Sequence, residues 1–511
     1  MDHSIPTRRQ WLQLAAVLAS SRFLLSGAGD NPIDIAERRE LFVDDYLIDR
    51  LHGVRRTLHR PVAREVSLER TKPWEGNASN YTTVLQDGDL YRMYYRGTHI
   101  VYTRGKRENV HREVVCYAES SDGIHWTRPD LGIVEFAGSK KNNIIWDGIG
   151  SHNFTPFLDT NPGSSANAKY KAMGRGKSLD PNDKRGFGHG LYIFESADGI
   201  HWKLTRKEPV ITQGAFDSQN LAFWDSLRGE YRAYARDFRE GRDIRTCTSK
   251  DFIQWSKPVF LTYSPGRMGQ LYTNGVIPYY RAPHIFVGFP TRYADYGWAE
   301  STKQLPQREY REIVASSSLR SGTAFTDSMF MSSRDGLHFD VWPESFVRPG
   351  PQRPGSWFYG DKYQNWGIVE TKSHLPGAAD ELSFYLSEAA RQKDGNRLRR
   401  YTLRVDGFVS VHAPLSGGEC LTKPVRFEGS RLGINFSTSA AGTVRVELQE
   451  DYGRPIPGFT LDDCDLQYGD ELDRTITWKG NRDVGKLAGR PIRLRFEIKD
   501  ADLYSFRFSE E

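Results

Sequence analysis

The chain has 511 residues, enough for two or three domains with substantial cores. Its 70 basic residues against 65 acidic ones leave a net charge of +5 spread along the chain, which excludes the basic stripe of a nucleic-acid binder. With 47 glycines, 13% aromatic residues and little helical periodicity, the sequence reads as an all-β protein of many short strands.

Residues 1–28 carry an address rather than a fold. Thr7-Arg8-Arg9-Gln10-Trp11-Leu12 resembles a twin-arginine export signal, followed by an apolar stretch from Leu14 to Ala19 and small residues at Ser26-Gly27-Ala28. Cleavage there places the mature start near Gly29, with the protein periplasmic or secreted. No later segment approaches the ~20 apolar residues of a membrane span, so stable membrane insertion is not expected.

Downstream, five runs open with a polar cluster, continue into an apolar strand and reach an aromatic-rich second strand. The openings begin at Trp74, Ser151, Phe216, Gly269 and Asp361. The second strands run over residues 91–97, 170–174, 231–237, 283–290 and 382–388. The first four repeats add a third strand closed by a tight turn at Asp122-Gly123, Asp198-Gly199, Asp251-Phe252 and Asp335-Gly336, with an aromatic three or four residues after the Asp. These turns read as architecture rather than chemistry. Five copies of one antiparallel unit predict a five-bladed β-propeller over residues 38–411. The strand around residues 40–48, upstream of the first repeat, is expected to close blade five, which carries Asp44-Asp45 away from the axis. Beyond residue 411, strand-like runs at 424–427, 432–437, 443–449, 475–478, 492–498 and 503–508 predict a β-sandwich over residues 412–511. Of the four cysteines, Cys116 and Cys247 read as buried thiols, while Cys420 and Cys464 could pair; no Cys/His spacing suggests zinc.

A propeller followed by a sandwich on an exported chain resembles the furanosidase-type glycoside hydrolases of families 32 and 68, with family 43 sharing the propeller. That resemblance implies an acid, a stabiliser and a base or nucleophile, all carboxyl groups, on the innermost strands. The family's Asn-Asp-Pro opening is absent, and Arg236-Asp237 is followed by Phe238 where family 32 has Pro. The turns also resemble the sialidase Asp-box, which has one more residue between Asp and Gly and belongs to a six-bladed fold.

In a propeller the five openings converge on one end of the channel, so their polar residues are the site candidates. Glu75 and Asp217 form the leading acid pair, since glycosidic cleavage needs one carboxyl to protonate the leaving oxygen and another to attack or to activate water. Asp237 is the third catalytic candidate, beside Arg236. Substrate contacts are expected from Asn80, His152, Asn153, Gln219, Asn220, Arg236, Tyr272, Asn274, Tyr363 and Asn365, because amides and phenols suit hydroxyl-rich ligands. The bland readings are a solvated acid for Glu75, an Asx cap for Asp217, a rim salt bridge for Asp237 and a structural histidine for His152. Asp327, Glu344, Glu370 and Asp361 are reserve acids, and Arg96, Arg292 and Arg348 reserve anion contacts.

The expected activity is therefore glycoside hydrolysis of a poly- or oligosaccharide. A non-catalytic carbohydrate-binding propeller, a protein-binding scaffold and a polysaccharide lyase using His152 and Arg236 are the alternatives. No cofactor is called for, a structural calcium in the axis stays open, and so does the oligomeric state.

Overall fold

Strand follows strand with few helices in the computed structural model, which describes residues 31–176, 189–393 and 395–510. The export segment lies outside those residues. Five sheets succeed one another between residues 62 and 404, antiparallel throughout except for the edge strand Thr262–Ser264 of the fourth, which pairs parallel with His338–Val341. Sheet one starts at Thr83–Asp87, sheet two at Thr155–Leu158, sheet three at Leu221–Asp225, sheet four at Ile277–Tyr279 and sheet five at Val369–Thr371. Their aromatic second strands, Leu90–Gly97, Tyr170–Arg175, Glu230–Phe238, Ala282–Gly288 and Glu381–Glu388, follow the sequence reading closely.

The tight turns do more than reverse the chain. In each of the first four, the Asp carboxylate accepts the backbone N–H groups two and three residues on, as Asp122 does from Ile124 and His125 at 2.7 and 2.8 Å. Gly123, Gly199 and Gly336 have φ near +70 to +76°, and each lies against the preceding sheet. The Gly123 carbonyl accepts from Tyr385 of sheet five, and the Gly336 carbonyl accepts from Tyr234 of sheet three at 2.8 Å. Trp202 packs edge-on against Tyr94 of sheet one, and Phe252 against Phe157 of sheet two. The fifth repeat has its own version, unrecognised in sequence: Asp406, at φ +63°, accepts from Tyr279 of sheet four at 2.7 Å. Contacts thus run from two to one, three to two, four to three, five to four and one to five. One cavity of about 640 Å³ is lined by residues from the first strands of all five sheets, including Val84, Phe157, Phe223, Ile277 and Val369.

The strand that completes sheet five is Val62–Glu69, antiparallel to Arg397–Arg404. The expectation that residues 40–48 do so is corrected. Glu40–Leu41 instead pairs with Phe506 and Ser505, and Ile48–His52 with Gly418–Thr422. The reason is hydrophobic: Phe42 and Leu47 are buried in the core beneath the C-terminal strands. Asp44 pairs with Arg334 and Asp45 with Arg56, both remote from the site described below.

That C-terminal core lies within a ten-stranded sheet built on two long strands, Arg431–Glu450 and Ile492–Ser509. Each merges two runs that the sequence pattern separates. The sheet also takes Ile33–Ala36 and Arg55–Leu58, so both ends of the chain share it. Cys420 and Cys464 are buried free thiols and do not pair. No helix among the described residues is long and apolar enough to cross a membrane.

Candidate active site

The five openings touch one another, and the predicted amides make the contacts. Asn153 donates to the carbonyls of Phe216 and Ser218, Asn274 to the carbonyl of Gln219, and Gln219 to the carbonyl of Thr82, while Asn365 accepts from the Thr82 N–H. Asn220 closes its own turn onto Phe216 and Ser218. Five sheets meeting at one end leave backbone groups that no ladder satisfies, and these side chains satisfy them. Their role is therefore to clip the sheets together. Asn80 is buried beside Gly360, between the first and fifth openings.

Above these clips sits Asp217. Its Oδ1 meets His152 Nε2 at 2.8 Å and Arg175 Nη1 at 3.1 Å, while the carboxylate as a whole stays 45% exposed. On the far side of the imidazole, Nδ1 lies 2.9 Å from Glu113 Oε2. A carboxylate has no hydrogen to give, so an imidazole held between two of them is best satisfied when both nitrogens carry protons. Burial and Arg96 work against that charge, but Glu113 and the two hydrogen bonds raise His152 above its ordinary value. Burial likewise pushes both carboxyls up and is outweighed. His152 and Arg96 hold Glu113 down at about 2, and His152, Arg175 and Arg236 hold Asp217 far below the usual carboxylate range.

A tyrosine wall stands beside this chain of charges. Tyr81, Tyr272, Tyr293, Tyr359 and Tyr363 form one buried cluster, with the Tyr272 ring 5.5 Å from Tyr363 and 5.9 Å from Tyr359. Guanidinium groups lie over these rings: Arg96 over Tyr81, Arg236 over Tyr272, Arg242 over Tyr272 and Tyr293, and Arg320 and Arg391 over Tyr359. Burial raises the phenols of Tyr81 and Tyr363. Burial and the Asp217 charge also raise Tyr272, yet Arg236, a hydrogen bond with Tyr359 and Arg320 bring it below its ordinary value.

The other predicted acids lie elsewhere. Glu75 is fully buried, ion-paired with Arg128 at 2.8 Å and accepting from Tyr95 at 2.6 Å and from the Lys72 N–H at 2.9 Å. Both carboxylate oxygens are thus engaged and shut off from solvent. Asp237 alternates with Arg236 along its strand, so when Arg236 reaches Tyr272, Asp237 points to the opposite face and pairs with Arg245 at 2.8 Å. Asp361 is buried beside Lys362 and Glu388, and that burial pushes its carboxyl up to about 6. Asp327 pairs with Arg292, Glu344 with Arg60, and Glu370 accepts from Tyr280.

Sequence reading missed Glu113, Arg175, Arg242, Arg320 and Arg391, and among the tyrosines Tyr81, Tyr293 and Tyr359. Its leading candidates came from where first strands begin, with only Arg236 and Asp237 among the proposed site residues taken from the end of a second strand. In an antiparallel sheet the second strand ends, and the third begins, at that same edge. Arg96, Arg175 and Arg236 occupy equivalent positions at the ends of three successive second strands, a recurrence visible in the sequence. Among the described residues, no group of three or more His, Cys, Asp or Glu side chains is arranged to hold a metal ion.

No family model matches the chain. An uncharacterized protein of Mycobacterium tuberculosis is 28% identical over 166 residues, 32% of this chain and 44% of that one. A second uncharacterized protein of that species is 36% identical over 74 residues, 14% of this chain and 23% of its own length. The chain thus spans less than half the length of the curated relatives it matches. Among solved structures, a glycoside hydrolase superposes with a TM-score of 0.42 at 12% identity, covering 68% of this chain and 92% of the other. An N-acetylgalactosamine deacetylase from F. plautii, in complex with blood group B trisaccharide, gives 0.40 at 13%, covering 68% and 94%. A family 32 β-fructofuranosidase of Bombyx mori gives 0.36 at 10%, covering 89% and 94%.

Proposed function

We propose that this chain is an exported glycan-cleaving enzyme, a five-bladed β-propeller carrying a β-sandwich, whose reacting carboxylate is Asp217. In this reading the propeller covers residues 62–404, and the sandwich combines residues 33–58 with residues 409–509. The cyclic order of contacts among the five sheets supports the propeller, and the twin arginines support export. The observation that carries the function is the state of Asp217. It is ionised, held by one oxygen, half-exposed, and set beside a wall of aromatic rings at the end where five openings meet.

A carboxylate so placed serves as nucleophile, or as the base that takes a proton from water. His152 fixes its charge and orientation, and Glu113 fixes His152, the logic of a reacting group held by a second and a third. The leaving oxygen also needs a proton. Among the described residues, the predicted acids Glu75 and Asp237 are committed to other partners, so the proton source we assign is Tyr272. The rings of Tyr81 and Tyr363 supply apolar faces for sugars.

A second reading rests on the burial of the one uncommitted candidate acid, Asp361, which is only 1% exposed. In β-elimination, Tyr272 as a phenolate takes the proton next to a uronate carboxylate whose charge arginines neutralise, a C=C bond forms as the glycosidic C–O bond breaks, and the phenol returns that proton to the departing oxygen, so no acid pair is needed. Incubating the purified protein with a panel of plant and algal polysaccharides, then analysing the products by mass spectrometry and ultraviolet absorbance, tests both. Hydrolysis adds one water per bond cut, whereas elimination leaves an unsaturated sugar. Release of no product from any glycan would end the enzymatic proposal.

A further inference from the structure

Charges around the tyrosine wall do not balance. Glu113 is answered by Arg96 and His152, and Asp217 by Arg175 and His152. Asp295, at the wall's outer end, accepts from Tyr293 and Thr323. Arg236, Arg242, Arg320 and Arg391 remain; Arg236 acts on Asp217 through its charge, and none of the four forms an ion pair with a carboxylate among the described residues.

Their polar contacts are neutral. Arg236 Nε donates to the Ala215 carbonyl at 3.0 Å, Arg242 Nη1 to Gln270 at 2.7 Å, and Arg320 Nη1 to the Tyr359 hydroxyl at 3.3 Å. Arg391 Nε is buried without a partner. Arg236 is only 5% exposed and the other three are partly buried. Cation–π contact eases burial but cancels no charge, so four guanidinium groups without an ion-pair partner around linked rings are costly to keep together. The rings set how close they are. Arg236 and Arg242 share Tyr272, Arg320 and Arg391 share Tyr359, and those two rings are 5.9 Å apart.

We infer that the sugar bound in this site carries an anionic substituent, a uronate carboxylate or a sulfate ester, held by Arg242, Arg320 and Arg391. The inference rests on the glycan-cleaving reading and narrows its substrate class. Planar guanidinium forks suit carboxylate and sulfate oxygens, and the neighbouring aromatic faces accept the ring that carries them. Asp217 is paired directly with Arg175 and His152 and feels Arg236 only through its charge, which leaves Arg242, Arg320 and Arg391 to the ligand.

The test compares matched pairs by isothermal titration calorimetry on the full chain. Polygalacturonate oligomers are set against their carboxyl-reduced forms, and a sulfated galactan oligomer against its desulfated form, with inorganic phosphate as a separate titrant. One acidic member should bind about tenfold or more tighter than its neutral partner, and the advantage should shrink as salt screens it. In Arg320→Gln and Arg391→Gln the ratio of acidic to neutral affinity should fall toward one, whatever each change does to neutral binding. Neutral partners that bind as well as acidic ones overturn this inference alone and leave the cleavage proposal standing. Binding of phosphate together with its incorporation into a sugar phosphate product also overturns it, since the arginines would then serve a co-substrate. If no glycan of either kind binds, the cleavage reading fails and this inference with it. The wild-type comparison stands even if a variant fails to fold.

Discussion

Replacing His152 with Gln removes the cation that joins Glu113 to Asp217. A hydrogen bond to a charged partner is worth about 1.5–3 kcal/mol, and the Glu113 side, only 15% exposed, counts in full. The Asp217 side faces solvent and counts for about 1 kcal/mol or less. The variant should therefore lose about 2–4 kcal/mol near pH 5.5. Because His152 is raised on folding, its contribution is complete below the ordinary value of 6.5 and fades as pH rises through the folded value. Glu113 and Asp217 are lowered, so theirs is present above 4.5 and 3.8 and fades as pH falls through the folded values. The relay is thus worth most between about 4.5 and 6.5 and least at alkaline pH. Urea unfolding followed by tryptophan fluorescence, run on both proteins near pH 5.5 and near pH 9, measures the gap in midpoint. A gap that is equal at the two pH values would show that His152 is not a cation in the folded protein.

Four further outcomes follow from the same structure. Glu65→Ala removes the bidentate partner of the buried Arg400 at the strand that completes sheet five, and should cost about 2–3 kcal/mol in urea unfolding. Glu75→Gln leaves Arg128 without its carboxylate inside sheet one, and should cost about 3–5 kcal/mol by the same assay. Tyr272→Phe should lower kcat by about 10²–10⁴-fold with little change in KM, measured on the glycan identified by the panel, if its phenol moves the proton. Replacing Arg8 and Arg9 with Lys should leave the protein in the cytoplasm on cell fractionation, whereas the unaltered chain should be exported with its N-terminus near Gly29.

Much of the architecture was legible because repeats repeat. Aromatic second strands recur in all five units, and an Asp-led turn recurs in the first four, as Asp-Gly in three of them and Asp251-Phe252 in the other. Closure was misread because residues 40–48 and 62–69 both look like strands, and only the burial of Phe42 and Leu47 among C-terminal strands separates them. The site was half legible. His152, Asp217, Tyr272 and Tyr363 from four openings lie near one another and near Arg236 from a second strand, but Glu75 is held apart by Arg128 and Tyr95, which sequence cannot show. Glu113 sits before an ordinary apolar strand with no local signal. Only pairing Val114–Ser120 against Leu90–Gly97 brings it to the edge where His152 waits.

The central claim is that Asp217, and not Glu75, is the reacting carboxylate. Initial rates of bond cleavage for the wild type, Asp217→Asn and Glu75→Gln on one cleaved glycan test it most directly, each corrected for its folded fraction. Asp217→Asn should fall by about 10²–10⁴-fold, while folded Glu75→Gln keeps the wild-type rate. Full activity in Asp217→Asn, or loss confined to Glu75→Gln, would contradict the account.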